Sequence, residues 1–333
     1  LTDYIGLPKA EVHIHVEGCF EADDVIRNCE EAGIPLRAPR DRLFEAHDLK
    51  SFLEMLDWLC GTFRTREQLA TTAYKFAQRM TGSGVRYADV IVNPTHWPHW
   101  HRNLPAMIDA FDVGFAAAEQ DGNPPVGLCV SLLRTQSAAE SIELVELLSE
   151  IRHPRVVALS VDGNEAAAGR TGPRFAEAFR RAAAAGLRRT VHAGESSGPE
   201  GVRDAVELLG ADRIDHGVRA IEDPDLVDLL AQRQIPLGVC PISNIVLGVY
   251  RSLAEHPIDA LRKAGVAVSI NTDDPALLDT TLEASYAACT EAFAWDGEAI
   301  RQLAATSVHA SYADPALKAH ILADLAAWQA WQA

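Results

Sequence analysis

The sequence predicts one α/β domain spanning residues 1–333, a (β/α)8 TIM barrel with a helical insertion after strand 1. Three observations carry that expectation. Short apolar or β-branched runs recur eight times along the chain. In the second half they alternate with helical patterns at a spacing of roughly 30 residues, the repeat of parallel βαβ units. No Gly/Ser linker, charge block or low-complexity segment divides the 333 residues. Eight such units in one undivided chain favour a closed barrel over an open doubly wound sheet.

The elements follow in order. The first strand is expected at Ala10–Val16 and the second at Val85–Asn93. The stretch between them, about 20–84, exceeds an ordinary crossover and is expected to be a helical insertion. It contains Asp48–Phe63, amphipathic and rich in aromatics, which reads either as a barrel helix or as a lid over the barrel mouth. Further strands are expected at Val126–Leu133, Arg155–Val161, Arg188–Ala193, Arg213–Gly217, Ile235–Cys240 and Val266–Asn271. Helices Phe175–Leu187 and Asp223–Gln234 lie among them, and Gly186 and Gly265 stand where helix ends favour a left-handed residue.

Composition narrows the partners. Lys and Arg total 30 against 47 Asp and Glu, a formal charge of −17. That surplus argues against nucleic acid or an anionic membrane, both of which reward clustered cations, and weakly against a phosphorylated substrate. No apolar run reaches about 18 residues, so no membrane-spanning helix is expected. Leu1–Lys9 shows no signal-peptide pattern, and the expected location is cytoplasmic. The six cysteines include no CxxC pair and read as reduced thiols, mostly small core residues.

Barrels of this class place their chemistry at the C-terminal ends of strands. Strand one closes on His13-Ile14-His15, and residues i and i+2 share a face. Strand five ends His192-Ala193-Gly194-Glu195, strand six Asp215-His216-Gly217, and strand eight Asn271-Thr272-Asp273-Asp274-Pro275. His13, His15, His192 and Asp273 make a His3Asp set with an open position for water, the pattern of a catalytic zinc that lowers the pKa of bound water to about 7. One Zn2+ per chain is expected, because strand four ends Asp162-Gly163-Asn164-Glu165 with no Lys to bridge a second metal. Glu195 is placed to exchange protons with the substrate, and His216 to hold or deprotonate the attacking water. A core histidine for His216 and a helix N-cap for Asp274 are the plainer alternatives. The H-x-E with P-C-x-x-C signature, the P-loop and a strand-linked G-x-G-x-x-G are absent.

Taken together, Leu7–Gly18, Thr190–Glu195, Asp212–Gly217, Cys240–Asn244 and Asn271–Pro275 resemble the adenosine deaminase family of the amidohydrolase superfamily, in the family's order along nearly the whole chain. The resemblance implies hydrolytic removal of the exocyclic amino group of a 6-aminopurine. It implies that Glu195 protonates purine N1, His216 orients the attacking hydroxide, Asp274 hydrogen-bonds N7 and the Gly163 backbone donates to N3. Glu17 matches the position that contacts a ribose 5′-hydroxyl.

The lead expectation is deamination of adenosine to inosine and ammonia. The alternatives are adenine to hypoxanthine, another 6-aminopurine nucleoside, cleavage of a cyclic amide, or a catalytically silent purine-binding protein. Gly163 resembles the nucleoside-type members, whereas Asp215 is common among adenine-type ones. The loop Asn93–His101, with its three histidines and two tryptophans, is expected either to pack or to shape the pocket. Oligomeric state is not set by the sequence.

Overall fold

The structure, a computed structural model, describes residues 3–46 and 49–329. Eight parallel strands form the expected barrel in sequential order: β1 (Lys9–His15), β2 (Val85–Val92), β3 (Val126–Leu133), β4 (Val156–Asp162), β5 (Arg188–Ala193), β6 (Arg213–His216), β7 (Leu237–Val239) and β8 (Val268–Ile270). They are buried and rich in Val, Ile and Leu, as strands covered on both faces must be. The helices are α1 (Ala22–Ala32), α2 (Leu49–Cys60), α3 (Arg66–Gly82), α4 (Leu104–Gln120), α5 (Ala138–Ile151), α6 (Glu165–Ala168), α7 (Gly172–Ala184), α8 (Pro199–Glu207), α9 (Pro224–Arg233), α10 (Pro241–Val246), α11 (Ile258–Lys263), α12 (Leu282–Phe293), α13 (Gly297–Ala310) and α14 (Pro315–Ala327). Ala185 and Ala264 cap α7 and α11, and Gly186 and Gly265 follow at φ 85° and 87°, so the glycines turn the chain one residue past the cap.

The long β1–β2 connection is helical, but it is not set apart as one insertion. Its last helix, α3, packs against β2 and α4, the place of a ring helix in a βα unit. Asp48 of the expected lid segment lies outside the described residues; α2 begins at Leu49 and crosses the barrel mouth, where Phe52, Leu53 and Leu56 wall a cavity.

The seam between β8 and β1 is closed largely by side chains. Asn271 Oδ1 accepts the amides of Val12 (2.8 Å) and His13 (3.2 Å), and Glu11 Oε1 accepts from Thr272 N (3.0 Å) and Oγ1 (2.5 Å). Past them, His15 N donates to Asp273 O (2.8 Å) and Asp273 N to His13 O (3.1 Å). Those bonds fix Asp273 in register with both histidines of β1. The described cysteines are free and buried, as expected of core residues.

Candidate active site

The strand ends converge on a cavity of about 500 Å³, counting its open mouth. His15, His192, Glu195, His216, Asp273 and Asp274 line it, with Asp162 and Gly163 at the end of β4. The two-residue period of β1 aims His13 and His15 to one side, and His13 lies fully buried beneath. Two of these residues occupy backbone conformations that L side chains rarely adopt, His216 at φ 65° and Asp273 at φ 66°. Such strain costs about 1–3 kcal/mol per residue and persists only where neighbours over-determine it. The seam bonds do so for Asp273. Gly18 helps from the other side, because a Cβ there would lie 2.3 Å from the Cα of Asp274.

Four atoms able to serve as metal ligands lie close together. His192 Nε2 lies 3.0 Å from His13 Nε2 and 3.1 Å from His15 Nε2. Asp273 Oδ1 lies 3.3 Å from His13 Nε2 and 3.4 Å from His15 Nε2. His13 Nδ1–H donates to Gly238 O at 2.7 Å, so its Nε2 lone pair faces inward. Three imidazole nitrogens and a carboxylate oxygen at these separations repel one another unless a cation sits among them, and the donor set suits zinc. Burial opposes a charge on His13, yet Asp215 and Asp273 outweigh it and push its pKa up to about 9. Burial, reinforced by His13 and His15, holds His192 well below the usual imidazole range. Burial alone would raise Asp273, but His13, His216 and His15 hold it well below the carboxylate range. His216 also lies within ligand distance: a nitrogen of each of His13, His192 and His216 and an Asp273 oxygen fall within 4.8 Å of one another.

Hydrogen-bond accounting assigns the His216 tautomer. Ile258 N donates to His256 Nδ1 (3.2 Å), so His256 carries its proton on Nε2 and donates to Asn244 Oδ1 (3.1 Å). Asn244 must then donate through Nδ2 to His216 Nδ1 (3.2 Å). The His216 proton therefore sits on Nε2, which faces Glu195 Oε1 at 3.5 Å and Asp273 Oδ2 at 3.8 Å. Burial, with His13 beside it, brings the His216 pKa down to about 3, so the ring is neutral. Glu195 moves the opposite way: burial, with Asp273 and Glu165 nearby, pushes its carboxyl up to about 8. Burial next to Asp273 and Glu17 holds Asp274 well above the carboxylate range.

Several supporting residues escaped the sequence reading. Glu165 receives the amides of Gly194 (3.0 Å), Glu195 (3.1 Å) and Ser197 (3.2 Å). Arg134 donates to Gly163 O (3.2 Å), Thr171 Oγ1 (2.7 Å) and His192 O, joining the ends of β4 and β5. Ser243 Oγ donates to Asp273 Oδ2 at 2.6 Å. Ser243 and Asn244 stand in the Cys240–Asn244 motif, and Glu165 lies two residues past Gly163. Nothing local marks Arg134.

Glu17 is not among the residues lining the cavity. It is buried behind the loop that follows β2, where its Oε1 accepts Asn93 N (2.9 Å) and Trp97 Nε1 (2.7 Å), and its Oε2 has no partner. That loop largely packs. Trp97 is fully buried against Phe20, Phe63 and Phe111, and Trp100 Nε1 donates to Phe63 O. His96 does reach the cavity and ties the loop to α2 through Asp57 Oδ1 at 2.6 Å.

Comparison with known proteins identifies relatives along nearly the whole chain. The profile of the adenosine deaminase family matches residues 8–328. An adenine deaminase from Streptomyces coelicolor is 32% identical over 329 residues, 97% of this chain and 96% of that protein. Among solved structures, an adenine deaminase from Arthrobacter aurescens superposes with a TM-score of 0.90 at 30% identity, covering 97% of this chain and 99% of its own. An amidohydrolase from Burkholderia ambifaria, solved with bound Zn, gives a TM-score of 0.90 at 26% identity, covering 97% and 91%. The buried cluster fits a metal site of this kind. No described helix is long and apolar enough to cross a membrane.

Proposed function

The chain belongs to the adenosine deaminase family and is a hydrolytic deaminase acting on a C–N bond, and we propose that its substrate is free adenine. Adenosine, the lead expectation from the sequence, gives way to its alternative. Relatives named adenine deaminase support the change, and so does Glu17, the residue expected at a ribose, which lies off the cavity wall with Oε1 held by Trp97 and Asn93.

The reaction is adenine plus water to hypoxanthine plus ammonia: oxygen bonds to C6, and the C6–N6 bond breaks. His13, His15, His192 and Asp273 would hold one zinc ion. His15 is preferred to His216 as the fourth ligand because its Nε2 lies 3.4 Å from Asp273 Oδ1, whereas His216 Nε2 stands 3.8 Å from Oδ2. When bound, the ion supplies the Lewis acidity that makes water nucleophilic at neutral pH.

The remaining steps belong to the chain's own groups. Glu195 is protonated at neutral pH and donates to N1, which draws electrons from C6. Asp274, protonated for the same reason of burial, donates to N7. The Gly163 amide faces N3. His216 has its proton on Nε2 and its Nδ1 occupied, so it holds the attacking oxygen by donating a hydrogen bond and does not serve as base. Of the two roles open from the sequence, the geometry favours holding. As the tetrahedral centre collapses, N6 takes one of the two protons of the attacking water and leaves as ammonia, and the other returns to the Glu195 carboxylate, which gave its own to N1. Phe52, Leu53 and Leu56 of α2 cover the apolar face of the ring and exclude water.

The observation that carries this reading is the meeting of three imidazole nitrogens and Asp273 Oδ1 beside the raised carboxyl of Glu195. The test is ammonia release from adenine, adenosine and AMP by zinc-loaded protein. Adenine is expected to give the highest kcat/KM, and a chelator to abolish turnover before it unfolds the chain. Ammonia from none of the three, or faster release from adenosine, would overturn it.

A further inference from the structure

One polar atom at the cavity is used neither by the fold nor by the chemistry above. Asp162, the last residue of β4, is 5% exposed and lines the cavity beside Gly163. Asn93 Nδ2 donates to its Oδ1 at 2.5 Å, while its Oδ2 is buried and has no partner. No neighbour supplies the missing donor within hydrogen-bond distance. Asn93 Oδ1 accepts from Thr95 N (3.1 Å) and Oγ1 (2.6 Å), which locks the amide with its nitrogen on Oδ1 of Asp162. The Arg134 guanidinium is committed to Gly163 O, Thr171 Oγ1 and His192 O. A buried acceptor without a donor is costly, and at a ligand cavity the donor is most simply part of the ligand.

The chemistry of that donor follows from position, given the adenine reading on which this inference rests. With N1 at Glu195 and N3 at Gly163, the next ring nitrogen along the same edge is N9, one carbon beyond N3. In free adenine N9 carries a hydrogen; in a nucleoside it carries carbon. We propose that Asp162 Oδ2 accepts the N9–H of the free base and thereby selects adenine against 9-substituted purines. A 9-substituent would set carbon against the oxygen and leave it unpaired, and sites built around a ligand N–H reject analogues lacking it by about 10⁴-fold or more.

The experiment compares kcat/KM for adenine and 9-methyladenine in zinc-loaded wild type, Asp162→Asn and Asp162→Ser. In Asp162→Asn the Asn93 amide keeps the new side-chain oxygen and turns its NH2 toward the ring, replacing an acceptor by a donor. The expected result is a fall of about 100-fold for adenine with 9-methyladenine changed by less than about 3-fold, so that the preference shrinks. Asp162→Ser removes the group and is expected to shrink it likewise. Equal losses on both substrates, or no loss on adenine, overturn the proposal. Should neither variant fold, wild-type affinity decides: hypoxanthine must bind about 100-fold or more tighter than 9-methylhypoxanthine, and equal binding overturns it. Wild type that releases no ammonia from adenine defeats the substrate reading and this inference together; wild type active on adenine but indifferent to a 9-methyl group defeats only this one.

Discussion

The carboxylate of Glu165 accepts the backbone amide of Glu195 at 3.1 Å, so one acid that never faces the cavity aims the acid that does. The same carboxylate holds Gly194 and Ser197, which fixes the whole turn after β5.

Glu165→Ala leaves three amides without their acceptor. Turnover is expected to fall at least about 10-fold with metal content unchanged, and stability to drop by about 2–4 kcal/mol, less than the sum of three charge-assisted bonds of about 1.5–3 kcal/mol each because water replaces part of them. Glu165→Gln, which keeps one oxygen, should fall between. Parallel kcat, metal analysis and denaturant titration would check this; unchanged turnover would show that the turn is held by other means.

In the proposed reaction Glu195 must carry its proton to donate to N1, and burial pushes its pKa up to about 8. Rate is therefore expected to hold on the acid side and decline as pH rises through the Glu195 pKa, with a cation at the cluster drawing that limb below about 8. Glu195→Gln should lose about 10²–10⁴ in kcat while retaining metal, and its residual rate should lack the alkaline limb. A limb that persists in this variant would assign it to another group.

The His256–Asn244–His216 relay sets which nitrogen of His216 bears hydrogen. Asn244→Asp replaces the donor facing Nδ1 by an acceptor and is expected to draw the proton to Nδ1. A wrong tautomer at a comparable catalytic histidine costs about 10⁴ in kcat, so a loss of about 10²–10⁴ with little change in KM is expected. Nitrogen NMR of the imidazole would report the tautomer directly; an unshifted tautomer with lost activity would refute the relay.

Asn271 occupies the barrel seam with its side-chain oxygen on two buried amides of β1. Asn271→Ala should cost about 2–4 kcal/mol of stability by leaving both unsatisfied. Because the same seam registers His13 and His15 against Asp273, zinc affinity should weaken about 10–100-fold, the usual effect of losing support around metal ligands. Competition with a chelator of known affinity measures it. Lost stability with unaltered zinc affinity would separate the seam from the site.

The legible parts of this protein are those that sequence spacing encodes. β3 and β5 fall where the apolar runs place them, Val126–Leu133 and Arg188–Ala193, because most residues there are buried between the neighbouring strands and the covering layers. β7 is shorter than its run because Pro236 offers no amide, and β8 ends at Ile270 because Asn271 turns its side chain to the seam. His13 and His15 are legible as partners because i and i+2 share a face of a strand in any fold.

Only the tertiary structure decides what depends on distance in space. Glu165 meets Gly194 across 29 residues, Asn93 meets Asp162 across 69, and Asn244 finds His216 across 28. Glu17 is the clearest case. Its place in the motif suggests a ribose contact, and the packing of Trp97 sets it behind the cavity wall. The sequence by itself determined the barrel and offered a set of residue types suited to a metal, because strand periodicity and ligand chemistry are local properties. Which carboxyls are protonated, which imidazole nitrogen bears hydrogen and which acceptor is left for the substrate were decided by burial and by neighbours that only the closed barrel brings together.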